Sequence, residues 1–230
     1  MTTTHKYKDI EYALKKSNRK TSSIYIERDG SISVLVPNEL SNTEIENILE
    51  SKRYKIYSHL AEWEDANTSK VYREFVSGEG FYYLGRTYKL EIIEKQDVPL
   101  KLKNGQFMLR KKDLNKAKEH FVQFYKEKGK SKIIDRVNYW KKLLNVNPND
   151  VKIMELQNRW GSCTEKKNVN FHWKSVMTPL TILDYIIAHE LTHLIHPNHS
   201  EAFWNELDKI MPDYHQRKSW LKVHGAGMDL

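Results

Sequence analysis

The five residues His189-Glu190-Leu191-Thr192-His193 constrain this 230-residue chain more than any other stretch. They lie in Ile182–Ile195, where Ile182, Leu183, Ile186, Ile187, Leu191 and Leu194 recur at helical spacing. Thr178-Pro179 reads as an N-cap followed by proline at the first helical position. On such a helix His189 and His193, four residues apart, project from one face one turn apart. At that separation two neutral imidazoles can bind one zinc ion, at about 2.0–2.1 Å each. Glu190 follows the first ligand, where its carboxylate reaches a metal-bound water rather than the metal. A metal-lowered water pKa plus an adjacent base yields a hydroxide nucleophile near neutral pH. Two unpaired histidines buried in an apolar helix would otherwise be costly.

A catalytic zinc commonly takes three protein ligands and keeps one position open. His196 returns to nearly the same helix face, but at 1.5 Å per residue it stands about 10 Å along the axis from His189. Pro197-Asn198 ends the helix, because the residue before a proline is pushed out of helical geometry. The turn lets His199 fold back from outside the helix as the third ligand, with Glu201 and Glu206 as rivals that would complete the site with a carboxylate.

Hydrophobic residues at 39% and charged residues at 30% fit a globular chain. No stretch approaches the ~20 apolar residues of a membrane span, so no membrane association is expected. Met1 to Lys6 lacks an apolar signal region, and Cys163 is the only cysteine; both favour a cytoplasmic protein. The net charge of +8 is diffuse, densest from Arg110 to Lys142, where lysines alternate with apolar residues as on solvated faces of two amphipathic helices. Contact with nucleic acid is the weaker reading, since no zinc finger, helix-turn-helix or RNA-binding signature accompanies the lysines.

Upstream, residues 1–20 read as a polar tail. Ile24 and Ile26, Asp29-Gly30, then Ile32, Val34 and Val36 predict a hairpin. Ser41 and Glu44 have the spacing of a capping box opening a helix through Ile45, Leu49, Ile56, Leu60 and Trp63. Strands resume around Gly85-Arg86 and at a second hairpin on Asn104-Gly105. Residues 21–110 are thus expected to be a small antiparallel β lobe with one helix, and 111–230 a lobe carrying the metal helix. Two helices, 111–130 and 132–145, should break near Gly129. Val151–Leu156 and Val169–Trp173 read as strands, with Arg159–Cys163 as the turn between them; an edge strand there could accept an extended peptide through main-chain hydrogen bonds.

At this point the chain resembles the YgjP-like metallopeptidase family, related to the SprT-like zinc proteins. The resemblance rests on Arg159-Trp160-Gly161-Ser162-Cys163, Asn170, Asp184-Tyr185, His189-Glu190-Leu191-x-His193-Leu194, Asn198-His199-Ser200, Phe203-Trp204, Pro212-Asp213-Tyr214 and Trp220-Leu221. It is dense over roughly 110–225, with a weaker match at Tyr83-Leu84-Gly85-Arg86. It implies an α+β, zincin-type fold with one zinc on His189, His193 and His199, and Glu190 as general base. Phe171-His172-Trp173 departs from the Trp-Arg-Leu expected there, which places His172 where an arginine would bind substrate.

These readings converge on a zinc-dependent hydrolase acting first on peptide or protein substrates. The alternatives are a metal-dependent nucleotide phosphoanhydride hydrolase of pyrophosphatase type, with Arg159 and nearby lysines on phosphate, and a nucleic-acid-associated zinc protein. Arg159 is a candidate for holding a substrate carboxylate or phosphate. Tyr214 or His215 is a candidate donor to an oxyanion.

Overall fold

The computed structural model describes residues 3–27, 29–67, 71–156 and 159–230, and the chain divides into two compact units, Met1–Thr68 and Ser69–Leu230.

The first unit is a four-stranded sheet and one long helix. Strands β1 (Thr3–Tyr7), β2 (Ile10–Ser17), β3 (Ser23–Ile26) and β4 (Ile32–Pro37) lie in the order β1-β2-β4-β3. The tail expected over residues 1–20 is therefore mostly strand. Ile10 and Tyr12 are buried on either side of exposed Glu11, and that short alternation seats β2 despite the lysines that follow. The β3–β4 hairpin forms as the Asp29-Gly30 signal predicts, with Gly30 at φ 84°. The sheet is mixed rather than antiparallel, because β2 and β4 pair parallel. Helix α1 (Asn42–Asn67) opens on the capping box: Ser41 N–H donates to Glu44 Oε2 at 2.8 Å and Glu44 N–H to Ser41 Oγ at 3.3 Å. It buries Ile45, Leu49 and Ile56 in one cluster with Ile10, Ile32, Val34 and Val36.

The second unit begins with β5 (Gly80–Tyr83), β6 (Arg86–Ile93), β7 (Leu100–Lys103) and β8 (Gln106–Arg110), in the order β5-β6-β8-β7 with β6 and β8 parallel. Both hairpin turns use left-handed pairs, Leu84-Gly85 (φ 49° and 77°) and Asn104-Gly105 (φ 53° and 77°). These strands share one core with all that follows, so the boundary expected at residue 110 lies instead at Thr68. The cause is aromatic packing: the rings of Phe81 and Phe121 stack at 4.3 Å, and Phe107 meets Phe121 and Phe124 at 5.0 and 5.1 Å.

Phe121 and Phe124 belong to α2 (Ala117–Leu143), a single helix where two were expected. Gly129 does not break it. A Cβ there would lie 2.6 Å from Val176 Cγ1, so the glycine admits close packing of a neighbouring segment. Strands β9 (Asp150–Met154), β10 (Gly161–Cys163) and β11 (Asn168–His172) form a sheet ordered β10-β11-β9. Residues 161–163 thus supply an edge strand instead of the turn predicted, while β9 pairs parallel with β11. Helices α3 (Leu180–Thr192), α4 (Glu201–Ile210) and α5 (Tyr214–His224) complete the unit.

Two contacts seat α3. Arg136 of α2 holds buried Asp184 bidentately, Nε to Oδ1 at 2.6 Å and Nη2 to Oδ2 at 2.8 Å. The β5–β6 turn donates Leu84 N–H to the Val176 carbonyl at 2.8 Å and Gly85 N–H to that of Met177 at 3.1 Å.

Candidate metal centre

Pro179, rather than Thr178, occupies the N-cap of α3, since the Thr178 hydroxyl donates back to the Ser175 carbonyl at 2.7 Å. The helix ends at Thr192, earlier than the apolar run suggests, with His193 as its C-cap. There the chain tightens: Ile195 and His196 both donate their N–H to the Thr192 carbonyl at 3.0 Å. The Pro197–Ser200 connection then carries His199 back over α3. Its Nε2 lies 2.9 Å from His189 Nε2, and the ligand atoms of His189, His193 and His199 all fall within 4.8 Å of one another. Glu201 and Glu206 do not join this group; Glu206 pairs with Lys209 at 2.7 Å.

The donors suit a zinc-type ion. Burial lowers the pKa of His189 to about 3, with the other two histidines and Lys218 acting in the same direction. It lowers those of His193 and His199 as well, so all three rings are neutral near pH 7 and keep a lone pair to give. His193 Nδ1 faces the His196 carbonyl at 3.1 Å; donating there leaves Nε2 as its ligand atom. His196 thus contributes its backbone, not its ring. Two Nε2 lone pairs 2.9 Å apart repel unless they share a proton or a cation.

Glu190 is 7% exposed, and burial pushes its carboxyl up to about 8 while the Arg159 charge pulls it down. Its side chain lies against Gly161 of β10. A Cβ on Gly161 would stand 2.5 Å from Glu190 Cγ and 2.7 Å from Oε1, so only glycine leaves room for the carboxylate at that place.

A cavity of about 850 Å³ opens over these groups, lined by β10 and the β10–β11 turn on one side and by Tyr185, Glu190 and the three histidines on the other. Among the described residues β10 has a strand neighbour on its β11 side alone. His172 N–H donates to the Trp160 carbonyl at 2.9 Å and Thr164 N–H to that of Asn168 at 2.9 Å. In an antiparallel ladder bonded pairs alternate, so Ser162 bonds Asn170 while Gly161 and Cys163 present their N–H and C=O groups to the free edge.

Arg159 is exposed and lines the cavity. His172 does not: it is buried in the sheet, where Nδ1 accepts from Lys174 N–H at 3.0 Å and Nε2 lies 3.2 Å from Glu155. Tyr214 is also buried, stacked on Trp204 at 5.3 Å, and is not among the lining residues; exposed His215 packs against it at 4.0 Å. Tyr185 was overlooked as a site residue. It lines the cavity beside His189, ring centroids 5.8 Å apart, and burial and the Glu190 charge raise its pKa, so the hydroxyl keeps its proton. Its position four residues before His189, on the same helix face, was the available signal.

A family model described as the YgjP-like metallopeptidase domain matches residues 20–224. The chain belongs to the YgjP-like family. A metallopeptidase family implies a metal, and the three histidines are the one cluster of possible ligands of that size among the described residues. No functionally curated protein matches the chain. Among solved structures, the metallopeptidase zymogen of Pyrococcus abyssi abylysin is similar, with 22% identity and a TM-score of 0.36, over 38% of this chain and 89% of that one. Among the described residues no helix is long and apolar enough to cross a membrane.

Proposed function

We propose that this chain is a zinc-dependent peptidase in which His189, His193 and His199 hold the metal and Glu190 is the base. The observation that carries this reading is the convergence of three neutral imidazoles beside a buried carboxylate, in a cavity bordered by a free strand edge. A zinc ion held there supplies a Lewis acid for a substrate carbonyl and lowers the pKa of water. With a cation on the histidines Glu190 favours its ionised form, and its carboxylate then takes a proton from the attacking water and passes it to the leaving amine. The outward N–H and C=O groups of Gly161 and Cys163 receive an extended peptide backbone, which lays a scissile bond along α3. Tyr185, which lines the cavity and keeps its proton, is a better candidate than the stacked Tyr214 for donating to a developing oxyanion. Nothing in the family match favours the nucleotide or nucleic-acid readings.

The test is Glu190→Gln, assayed on an unstructured peptide library with bound metal measured in parallel. Turnover should fall by about 10²–10⁴-fold with zinc content unchanged. Gly161→Ala should lose less, because it displaces the same carboxylate without removing it. Wild-type-like cleavage by Glu190→Gln refutes the assignment of the base. Hydrolysis of nucleoside triphosphates, with peptides left intact, refutes the assignment of substrate.

A further inference from the structure

The three metal-facing histidines are held in place by different means. His189 sits within α3, its ring packed edge-on against Tyr185 at 5.8 Å and Phe203 at 4.9 Å. His193 is anchored by its Nδ1 contact to the His196 carbonyl at 3.1 Å. His199 has neither a helix nor such an anchor. It is exposed, it lies in the connection before α4, and the hydrogen bond described for its ring engages the metal-facing atoms themselves.

We infer that Trp204 is the positioning residue for His199, a role that rests on the metal reading above. The indole is stacked on the His199 imidazole, centroids 5.5 Å apart and planes within 20°. Phe203 meets the same imidazole edge-on at 4.8 Å and 77°, so the ring is bounded on two sides. Trp204 is itself held firmly. Its backbone N–H donates to the Ser200 carbonyl at 3.2 Å in the first turn of α4, while the ring is fixed by the Tyr214 ring stacked on it at 5.3 Å and 15° and by Lys218 Nζ, 4.5 Å from its ring centre. The stack therefore ties a ligand from an irregular segment to α4 and, through Tyr214 and Lys218, to α5. An imidazole free to rotate loses that freedom when it binds a metal; one already stacked in the binding orientation does not. Here a ring contact does the work that a hydrogen bond to the distal nitrogen does for His193.

The test is zinc titration of the metal-free full chain as wild type, His199→Ala, Trp204→Phe and Trp204→Leu, followed by cobalt substitution and its visible spectrum. Phenylalanine and leucine both fill apolar volume, but only phenylalanine stacks. Trp204→Leu should bind zinc at least about tenfold more weakly and alter the cobalt spectrum, while Trp204→Phe should recover most of the affinity. The circular dichroism of the metal-free proteins should be the same. Equal affinity in the two variants, or wild-type affinity and spectrum in Trp204→Leu, overturns the role of Trp204 and leaves the metal centre standing. Failure of the wild type to take up zinc overturns the metal centre and this inference with it; His199→Ala calibrates how far affinity falls when the ligand is lost outright.

Discussion

Residues 3–67 and 80–143 trace the same path twice, and the second copy packs against the segment that bears the candidate metal centre. Each begins with a hairpin on a two-residue turn, Lys8-Asp9 in one and Leu84-Gly85 in the other. Each places the second strand of that hairpin parallel to the last strand of the next, giving orders β1-β2-β4-β3 and β5-β6-β8-β7. Each ends in a helix of nearly equal length, 26 residues in α1 and 27 in α2. The differences lie in what the turn and the helix touch. The first turn is tied to its own helix, Lys8 to Glu50 at 2.9 Å and Asp9 to the Tyr57 hydroxyl at 2.6 Å. The second turns its N–H groups to the carbonyls of the segment leading into α3. Helix α1 buries one stripe, mostly aliphatic; α2 also gives up a second face, through Gly129 and Arg136, to the metal-bearing part of its unit. The helix beside the candidate site is the one with this second partner.

The sharpest way to break this comparison is to unfold the two copies separately. Phe121→Ala, in a fully buried aromatic cluster, should cost the second unit about 3–5 kcal/mol, and Leu49→Ala should cost the first about 2–5 kcal/mol. Zinc tells them apart, because a ligand stabilises only the unit that binds it. At a hundredfold excess over Kd the Phe121→Ala transition should regain about 2.7 kcal/mol and the Leu49→Ala transition nothing. Calorimetry of both variants with and without zinc is the measurement. A zinc shift common to both would mean that the copies do not melt independently.

The parts of this architecture legible in the sequence are those set by neighbours in the chain. The Ser41/Glu44 capping box, the Asn104-Gly105 turn and the period of α3 depend on residues within a few positions of each other, and all three form. The return of His199 was read from Pro197-Asn198 as a helix stop, but α3 ends earlier, at Thr192, and the chain tightens through His196 before the proline is reached. Long-range pairing was not legible. Nothing in β2 or β4 announces a parallel partner, since short strands in mixed sheets carry the same alternation whichever way they pair. His172 and Tyr214 were misjudged for a related reason: residue type suggests chemistry, but the face on which a side chain ends up is decided by packing. Gly129 was read as a breaker because propensity is a local quantity; in place, the missing side chain is what lets Val176 approach.

A smaller effect tests the second face directly. Arg136 and Asp184 join α2 to α3 through two hydrogen bonds, with side-chain exposures of 25% and 10%. Arg136→Met removes the charge and leaves Asp184 without its partner. The expected loss is about 2–3 kcal/mol, below the range for a fully buried pair because the guanidinium is partly solvated. The exposed Lys8–Glu50 pair of the first copy offers a control, and Lys8→Met should leave stability almost unchanged. Urea unfolding of both variants decides it. Equal losses would show that the ion pair on the second face matters no more than one on the surface.

The smallest effect turns on a sign. In an exposed helix position alanine is the better helix former, so Asn47→Ala in α1 should stabilise the first unit by roughly 0.5 kcal/mol. Gly129→Ala in α2 gains more from propensity, about 1 kcal/mol, since glycine is the poorer starting point. Its new methyl, however, meets Val176 Cγ1 at 2.6 Å, with Cγ2 and Cβ at 3.3 and 3.4 Å, so rotating the valine relieves one contact by tightening another. Overpacking of this kind costs about 1–3 kcal/mol. The net expectation is a loss of about 1 kcal/mol, read as a fall in the zinc-sensitive melting transition. Val176 is fully buried, and the carbonyls of Val176 and Met177 receive the β5–β6 turn just ahead of α3, so displacement there should be passed towards the helix of ligands. Stabilisation by Gly129→Ala would mean that Val176 yields freely and that the second face of α2 is looser than the geometry implies.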